Sequence, residues 1–363
     1  MRILKKAVIS AVVPAIVLWG YCAGAEVKIV EADSACQMGD NGSGIARRIA
    51  VQEAKRKAIE LAGIYVESLA VVKNYQLTRD EVKAYAVGLL ETEVASEQMR
   101  GTTERPEIYI MARSTVDTDI VTAQIAHYRE NELLEEQFMA ASREKDSLKK
   151  ERDALVRKLA AEKDKAKAEA TRTKLAAVLT REEANDDTAR VWAMLAPAFE
   201  EGNGKPPEIA SADLDASAAV LERVVKADPK NQRARHLLAV VYQRKGDRAS
   251  AERELRAAIQ LHPSNPIPHL SLGFLLKDSG RYQEALREFH FVERLRPHNL
   301  PIVFHAGITF KEFGKCGNAV QYLNRFLKAP RSTRYPRMRD QALMIVEECG
   351  GDRPGRHRHV RPQ

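Results

Sequence analysis

The chain is 363 residues long and carries 58 Lys and Arg against 50 Asp and Glu, a formal net charge of +8 at pH 7. That length accommodates two or three compact units, since domains run to about 100–200 residues. Part of the surplus charge sits on Arg2, Lys5 and Lys6, without which it falls to +5, so the composition does not imply nucleic acid; the four cysteines form no CxxC pair or Cys/His cluster of metal spacing, which leaves a zinc site unsupported.

Residues 1–25 read as a secretory signal. The three cations precede an apolar run that starts at Ala7, and Ala23-Gly24-Ala25 places small residues at −3 and −1 of a cleavage point before Glu26. A retained anchor is the competing reading, but the run is about 15 residues with Pro14 inside it, against the roughly 20 that a spanning helix needs. Tyr21 is too bulky to precede a lipid-modified Cys22. Cleavage implies a periplasmic or otherwise exported chain with no stable membrane span, in a compartment where disulfides persist, and leaves Cys36, Cys316 and Cys349.

Residues 26–125 alternate between strand and helix patterns. Val27-Lys28-Ile29-Val30 and Ile108-Tyr109-Ile110-Met111-Ala112 are strand-like. Between them Ile45, Ile49, Ala50, Ala54, Ala58, Ile59 and Ala62 fall at helical spacing, with Gly63 as the expected stop. Ile64 to Ser68 then reads as a strand, and Thr78-Arg79-Asp80-Glu81 as the capping box of a short helix reaching about Gly88. The pattern predicts an α+β domain.

The alanine-spaced helix, the run Gly63-Ile64-Tyr65-Val66-Glu67-Ser68, and Asn74, Leu77, Glu81 and Gly88 beyond it together resemble the amino-terminal domain of flagellar assembly protein T and a related small bacterial lipoprotein domain. The resemblance covers residues 27–121 and implies an envelope location and a structural role. It brings no catalytic residues, and the flagellar protein's other domains have no counterpart here. Glu67 has no partner at a readable spacing for acid–base work.

No glycine or proline occurs between Pro106 and Pro197, and residues 126–185 are rich in Ala, Glu, Lys, Arg and Leu. One unbroken helix of about 55 residues is predicted, a rod of roughly 80 Å. Leu134, Ala141, Leu148 and Leu155 recur every seven, with Phe138 and Leu159 on the companion positions and Lys145 and Arg152 interrupting them. This weak coiled-coil seam leaves two readings open: a solvated spacer, or a parallel homodimer through Leu134 to Leu159.

Downstream, a period of thirty-four is set by Pro229, Pro263 and Pro297, by Gly246, Gly280 and Gly314, and by Ala251, Ala285 and Ala319. The period predicts paired antiparallel helices with glycine at the turn. Leu238-Ala239 with Tyr242, Leu272-Gly273 with Leu276, and Ala306-Gly307 with Phe310 resemble the first-helix packing positions of the tetratricopeptide family, and Leu255, Phe289 and Leu323 the large second-helix position. Three repeats span 232–330. A divergent one over 188–229, with Trp192, Leu195, Ala196 and Phe199, is interrupted at 202–207 by Gly-Asn-Gly-Lys-Pro-Pro. A capping helix is expected in 331–349 and a disordered basic tail in 350–363, where His357 and His359 are two incidental imidazoles.

The tetratricopeptide resemblance has two further implications. A capping helix antiparallel to its predecessor brings Cys349 back to the inter-helix turn beside Gly314, where Cys316 sits, so the two form a disulfide unless both stay free or pair otherwise. Such solenoids hold protein ligands on the concave face of their first helices, here Arg233, His236, Val240, Gln243, Leu270, Phe274, Lys277, Phe304, Ile308 and Lys311, with Phe274 and Phe304 as anchors. The alternative is that several of these pack inside the chain. No GxSxG, HExxH, phosphate loop or GxGxxG occurs. The sequence therefore reads as a multidomain, non-enzymatic exported scaffold without cofactor, a motility or surface-machine component as the alternative and an unrecognised enzyme as the remote one.

Overall fold

A computed structural model describes residues 27–38, 42–72, 90–117, 132–195 and 211–350, with single positions 78, 81, 82, 86 and 121. The signal segment, Asn74, Leu77, Gly88, Ala196, Phe199, the 202–207 insertion and the tail beyond Gly350 lie outside them.

β1 (Val27–Gln37), β2 (Glu91–Thr102) and β3 (Arg105–Asp117) form an antiparallel sheet in the order β1-β3-β2, covered on one face by α1 (Gly42–Val72). Alternation explains the contact. Ala32, Ile108, Ile110 and Ala112 point inward and meet Ala46, Ala50, Ala54 and Ala58, all four without exposed surface. Alanines let the helix lie close to the sheet. The opposite face is solvated, with Arg113 paired to Glu31 at 2.7 Å. β2 is polar and escaped the sequence reading; what places it is the turn at Gly101, whose φ of +89° and 2.3 Å approach of a would-be Cβ to the Arg105 carbonyl oxygen only glycine tolerates.

The structure corrects two expectations. Gly63 does not end α1: the helix runs on to Val72, because Ile59, Ala62 and Val66 continue its buried stripe, so Ile64 to Ser68 is helix rather than strand. The capping box itself forms, with the Thr78 amide donating to the Glu81 carboxylate and the Glu81 amide to Thr78 Oγ1 at 3.2 Å.

The long rod is instead a hairpin, α2 (Glu132–Ala161) packed on α3 (Lys165–Leu195). Its turn forms at Glu162-Lys163-Asp164, where the Asp164 carboxylate accepts the amides of Ala166 at 2.9 Å and Lys167 at 3.0 Å and so starts α3. The proposed seam faces inward: Leu148 and Leu159 are buried in their own chain, Leu155 packs against the same cluster as Leu159, and the Leu134 and Phe138 side chains are not described. Trp192 and Leu195 belong to the end of α3 and pack on the next helix, so the boundary expected at 185–188 falls inside a helix.

The remaining helices pair in sequence: α4 (Ser211–Ala227), α5 (Gln232–Arg244), α6 (Arg248–Leu261), α7 (Pro266–Asp278), α8 (Tyr282–Leu295), α9 (Leu300–Glu312) and α10 (Cys316–Lys328), then a 3-10 turn (Pro330–Arg334) and α11 (Pro336–Glu348). Within each pair a small residue meets a large one. A Cβ on Gly273 would stand 2.5 Å from the fully buried Phe289 ring, and one on Gly307 2.7 Å from Leu323. Burying a phenylalanine this way contributes about 1.5–3 kcal/mol. Gly246, Gly280 and Gly314 take φ of +83°, +73° and +75° at the turns. Opening the first helices are Asn231, Asn265 and Asn299, also thirty-four apart, whose side chains accept the amides of Ala234, Ile267 and Ile302.

One apolar cluster runs from Val30, Ile59 and Val116 through Trp192 and Leu195 of α3 to Leu221, Ala234 and Leu238. The amino-terminal unit is therefore joined to the repeats by a shared core instead of being held off by a spacer. At the other end α11 covers the last pair, and Cys316 and Cys349 are joined by a disulfide with Cα atoms 5.2 Å apart. Cys36 is a free, partly buried thiol whose pKa is pushed up by burial and, secondarily, by Glu107.

Candidate functional site

The first helices α5, α7 and α9 repeat one geometry because each begins at an asparagine cap and ends near a left-handed glycine. Side chains of one first helix therefore reach those of the next. His236 Nε2 lies 2.8 Å from Ser271 Oγ, the Phe274 ring meets the His305 ring edge-on with centroids 4.7 Å apart, Lys277 Nζ is 3.6 Å from Glu312, and Lys311 Nζ is 2.7 Å from Glu348.

These contacts sort the ten expected groove residues. Arg233, Val240, Gln243, Leu270, Phe274, Lys277, Ile308 and Lys311 keep partial exposure. His236 is buried at 5 % exposure and Phe304 at 2 %, the latter against Phe326 in the cluster beneath α11. Phe304 is thus core instead of an anchor. Its equivalents, His236 and Leu270, face another repeat, whereas Phe304 faces the cap.

Ser271 and His305, which the sequence reading passed over, complete the face. They sit thirty-four apart, one position after Leu270 and Phe304, a spacing that was available as a signal. Burial, reinforced by Arg233, pushes the His236 imidazole down to about 4, and burial with Lys277 does the same to His305. Both are neutral at pH 7. The face is then an apolar strip of Val240, Leu270, Phe274 and Ile308 flanked by Arg233, Lys277 and Lys311, with the buried His236 on the Ser271 hydroxyl.

Charged side chains converge elsewhere, where α1 meets the hairpin. Arg152, 2 % exposed, reaches Glu182 at 3.0 Å and Glu53, while Lys145 holds Asp186 at 2.9 Å and Arg48 holds Glu183 at 2.6 Å. Burial raises the Glu182 carboxyl to about 7 despite Arg152. A cavity of about 620 Å³ opens beside this network, with Ile59, Gly63 and Ile64 of α1 on one wall and Lys145, Lys149 and Arg152 of α2 on the other. Its lining balances Arg56 and these three cations with Glu60, Glu67, Asp146 and Glu182, so it favours no ligand charge.

No helix of the described residues is long and apolar enough to cross a membrane. Residues 208–273 match the tetratricopeptide repeat family model. No curated protein matches the chain by sequence. Among solved structures, MamA is 18% identical, covering 38% of this chain and 80% of its own, with a TM-score of 0.35. PilF of Pseudomonas aeruginosa is 18% identical over 48% of this chain and 79% of its own, with a TM-score of 0.36. PilW, titled a widely conserved type IV pilus biogenesis factor, is 22% identical over 47% and 71%, with a TM-score of 0.38. In fold, residues 211–348 are an all-α tetratricopeptide solenoid set behind an α+β unit and a helical hairpin.

Proposed function

We propose that this chain is an exported, non-enzymatic scaffold of the bacterial envelope whose solenoid holds a protein partner on the face of α5, α7 and α9, and whose α+β unit docks a second component. The observation that carries this reading is the partly exposed apolar strip of Val240, Leu270, Phe274 and Ile308 between the cations Arg233, Lys277 and Lys311. An extended or helical peptide with apolar anchors and a few acids complements it. With Phe304 buried, Phe274 is the single aromatic anchor, and it is pre-positioned by Phe289 and His305. Photo-crosslinkers placed at Val240 and Ile308 in cells are expected to trap a partner that crosslinkers at Arg253 and Arg287, on the second helices, do not. Equal trapping from both faces would overturn the groove. Export is checked separately, by release of the chain on osmotic shock with a mature start near Glu26.

A motility or surface-machine component is the second reading, supported by the resemblance at 27–121 to the flagellar assembly protein. It predicts that deletion of the gene abolishes motility or surface assembly, where the general scaffold predicts neither.

A further inference from the structure

We propose that the Cys316–Cys349 disulfide is a redox-operated latch on the solenoid's end: a dithiol reductant opens it, the carboxy-terminal half of α11 undocks, and the apolar surface beneath is uncovered. The inference is independent of what the groove binds.

The two halves of α11 are held differently. The first half is pinned by Arg339, which donates to the Leu327 carbonyl at 3.0 Å and to Ser332 Oγ, and Ser332 is itself fully buried. At the second half Ala342, Ile345 and Val346 are buried, but Leu343 is only partly so and Met344 is 56 % exposed. Besides these apolar contacts, the ties that hold this half include the disulfide at its last turn and the Lys311–Glu348 pair, whose carboxylate is 59 % exposed. A solvent-facing ion pair of that kind contributes little. Beneath lie Val303, Phe304, Leu323, Phe326 and Leu327, all buried and all part of one cluster with α11.

Access favours reaction at one sulfur. Cys316 starts α10 and is exposed, while Cys349 is partly covered and packs against the apolar cluster beneath α11. A reductant thiolate attacks Cys316 Sγ, the S–S bond breaks, and Cys349 leaves as thiolate. The reductant's second thiol then attacks the mixed disulfide and releases Cys316. Two electrons pass from the dithiol, which ends as its own disulfide, and its two protons end on the two cysteines. Cys36, partly buried on β1 with a raised pKa, takes no part.

The test is hydrogen exchange on the full chain in a Cys36→Ser background, oxidised and after dithiothreitol without denaturant, with alkylation to verify both thiols. The expected result is a loss of about tenfold or more in protection for the amides of 343–349, with α6 to α8 unchanged, and new binding of an apolar dye. A Cys316→Ser/Cys349→Ser variant should behave as the reduced protein and ignore dithiothreitol. Unchanged α11 protection after verified reduction overturns the latch, as does a bond that resists the dithiol until denaturant is added, or peptide mapping that finds both cysteines alkylated without reductant. If the double variant does not fold, the wild-type comparison before and after reduction still decides.

Discussion

The solenoid and the junction between α1 and the hairpin are both buried, yet they are held by opposite means. In the solenoid the interior is apolar and periodic: Phe289 fills the space that Gly273 leaves, and Leu323 the space left by Gly307. At the junction a guanidinium is 2 % exposed, with the Glu182 side chain at 4 % beside it. Apolar burial is rewarded roughly in proportion to area. A buried ion pair only offsets its desolvation, while loss of one partner is costly. The solenoid therefore draws stability from its interior, whereas the junction draws specificity of docking.

The largest effects test that contrast directly. Arg152→Ala, which strands Glu182 and leaves Glu53 to Arg56 alone, is expected to cost about 3–5 kcal/mol in urea unfolding, and Phe289→Ala a similar amount through the cavity it leaves. The difference lies in rescue. Adding Glu53→Gln and Glu182→Leu to Arg152→Met should recover most of the loss, since an apolar set of similar volume carries no desolvation penalty; a failure of that rescue would show that the charges, not the packing, stabilise the junction.

A second distinction is pH. Glu182 has a folded pKa of about 7, above the ordinary 4.5, so the folded state binds the extra proton between those values and acidification from 7 to 4.5 strengthens the junction. It faces Arg152, Lys145 and Asp186, and the Asp186 carboxyl, though burial pushes it up, is held below its ordinary value by Lys145 and Lys55. His236 and His305 have folded values of about 4, below the ordinary 6.5, so the unfolded chain takes up the protons and the solenoid weakens from pH 6.5 downward. Hydrogen exchange, corrected for intrinsic rates, should show protection rising in α2 and α3 and falling in α5 to α9 between pH 6.5 and 5. Parallel responses would remove the contrast. The smallest expected effect is Asn265→Ala, about 1 kcal/mol for the lost cap, read as a shift in the midpoint of solenoid unfolding.

What was legible in the sequence follows the same division. The thirty-four-residue period reports a geometry repeated three times, so Gly246, Gly280 and Gly314 all occupy the left-handed turn that the pattern assigns them. The same period misleads at Phe304, because its neighbour is the cap and not another repeat. Upstream there is no repetition to average over. Gly63 looks like a stop until Val66 is seen to continue the buried stripe. Asp164 looks like one more charge in a charged helix until its carboxylate is found on the amides of the next one. Lys145 and Arg152, which interrupt the apparent seam, turn out to face Asp186 and Glu182, so the interruptions were the signal and the heptad the accident.

The end of α3 has a consequence for how the repeats are bounded. Trp192 and Leu195 close the amino-terminal end of the array by covering Leu214, Leu221 and Ala234 with residues of a helix that also backs the sheet. The array thus borrows its leading lid from the upstream unit, and the segment that matches the repeat family is not a transplantable module. A cut at the first recognisable repeat therefore splits a core, and one before α2 would split it too, because Val30, Ile59 and Val116 share that core with Trp192 and Leu195.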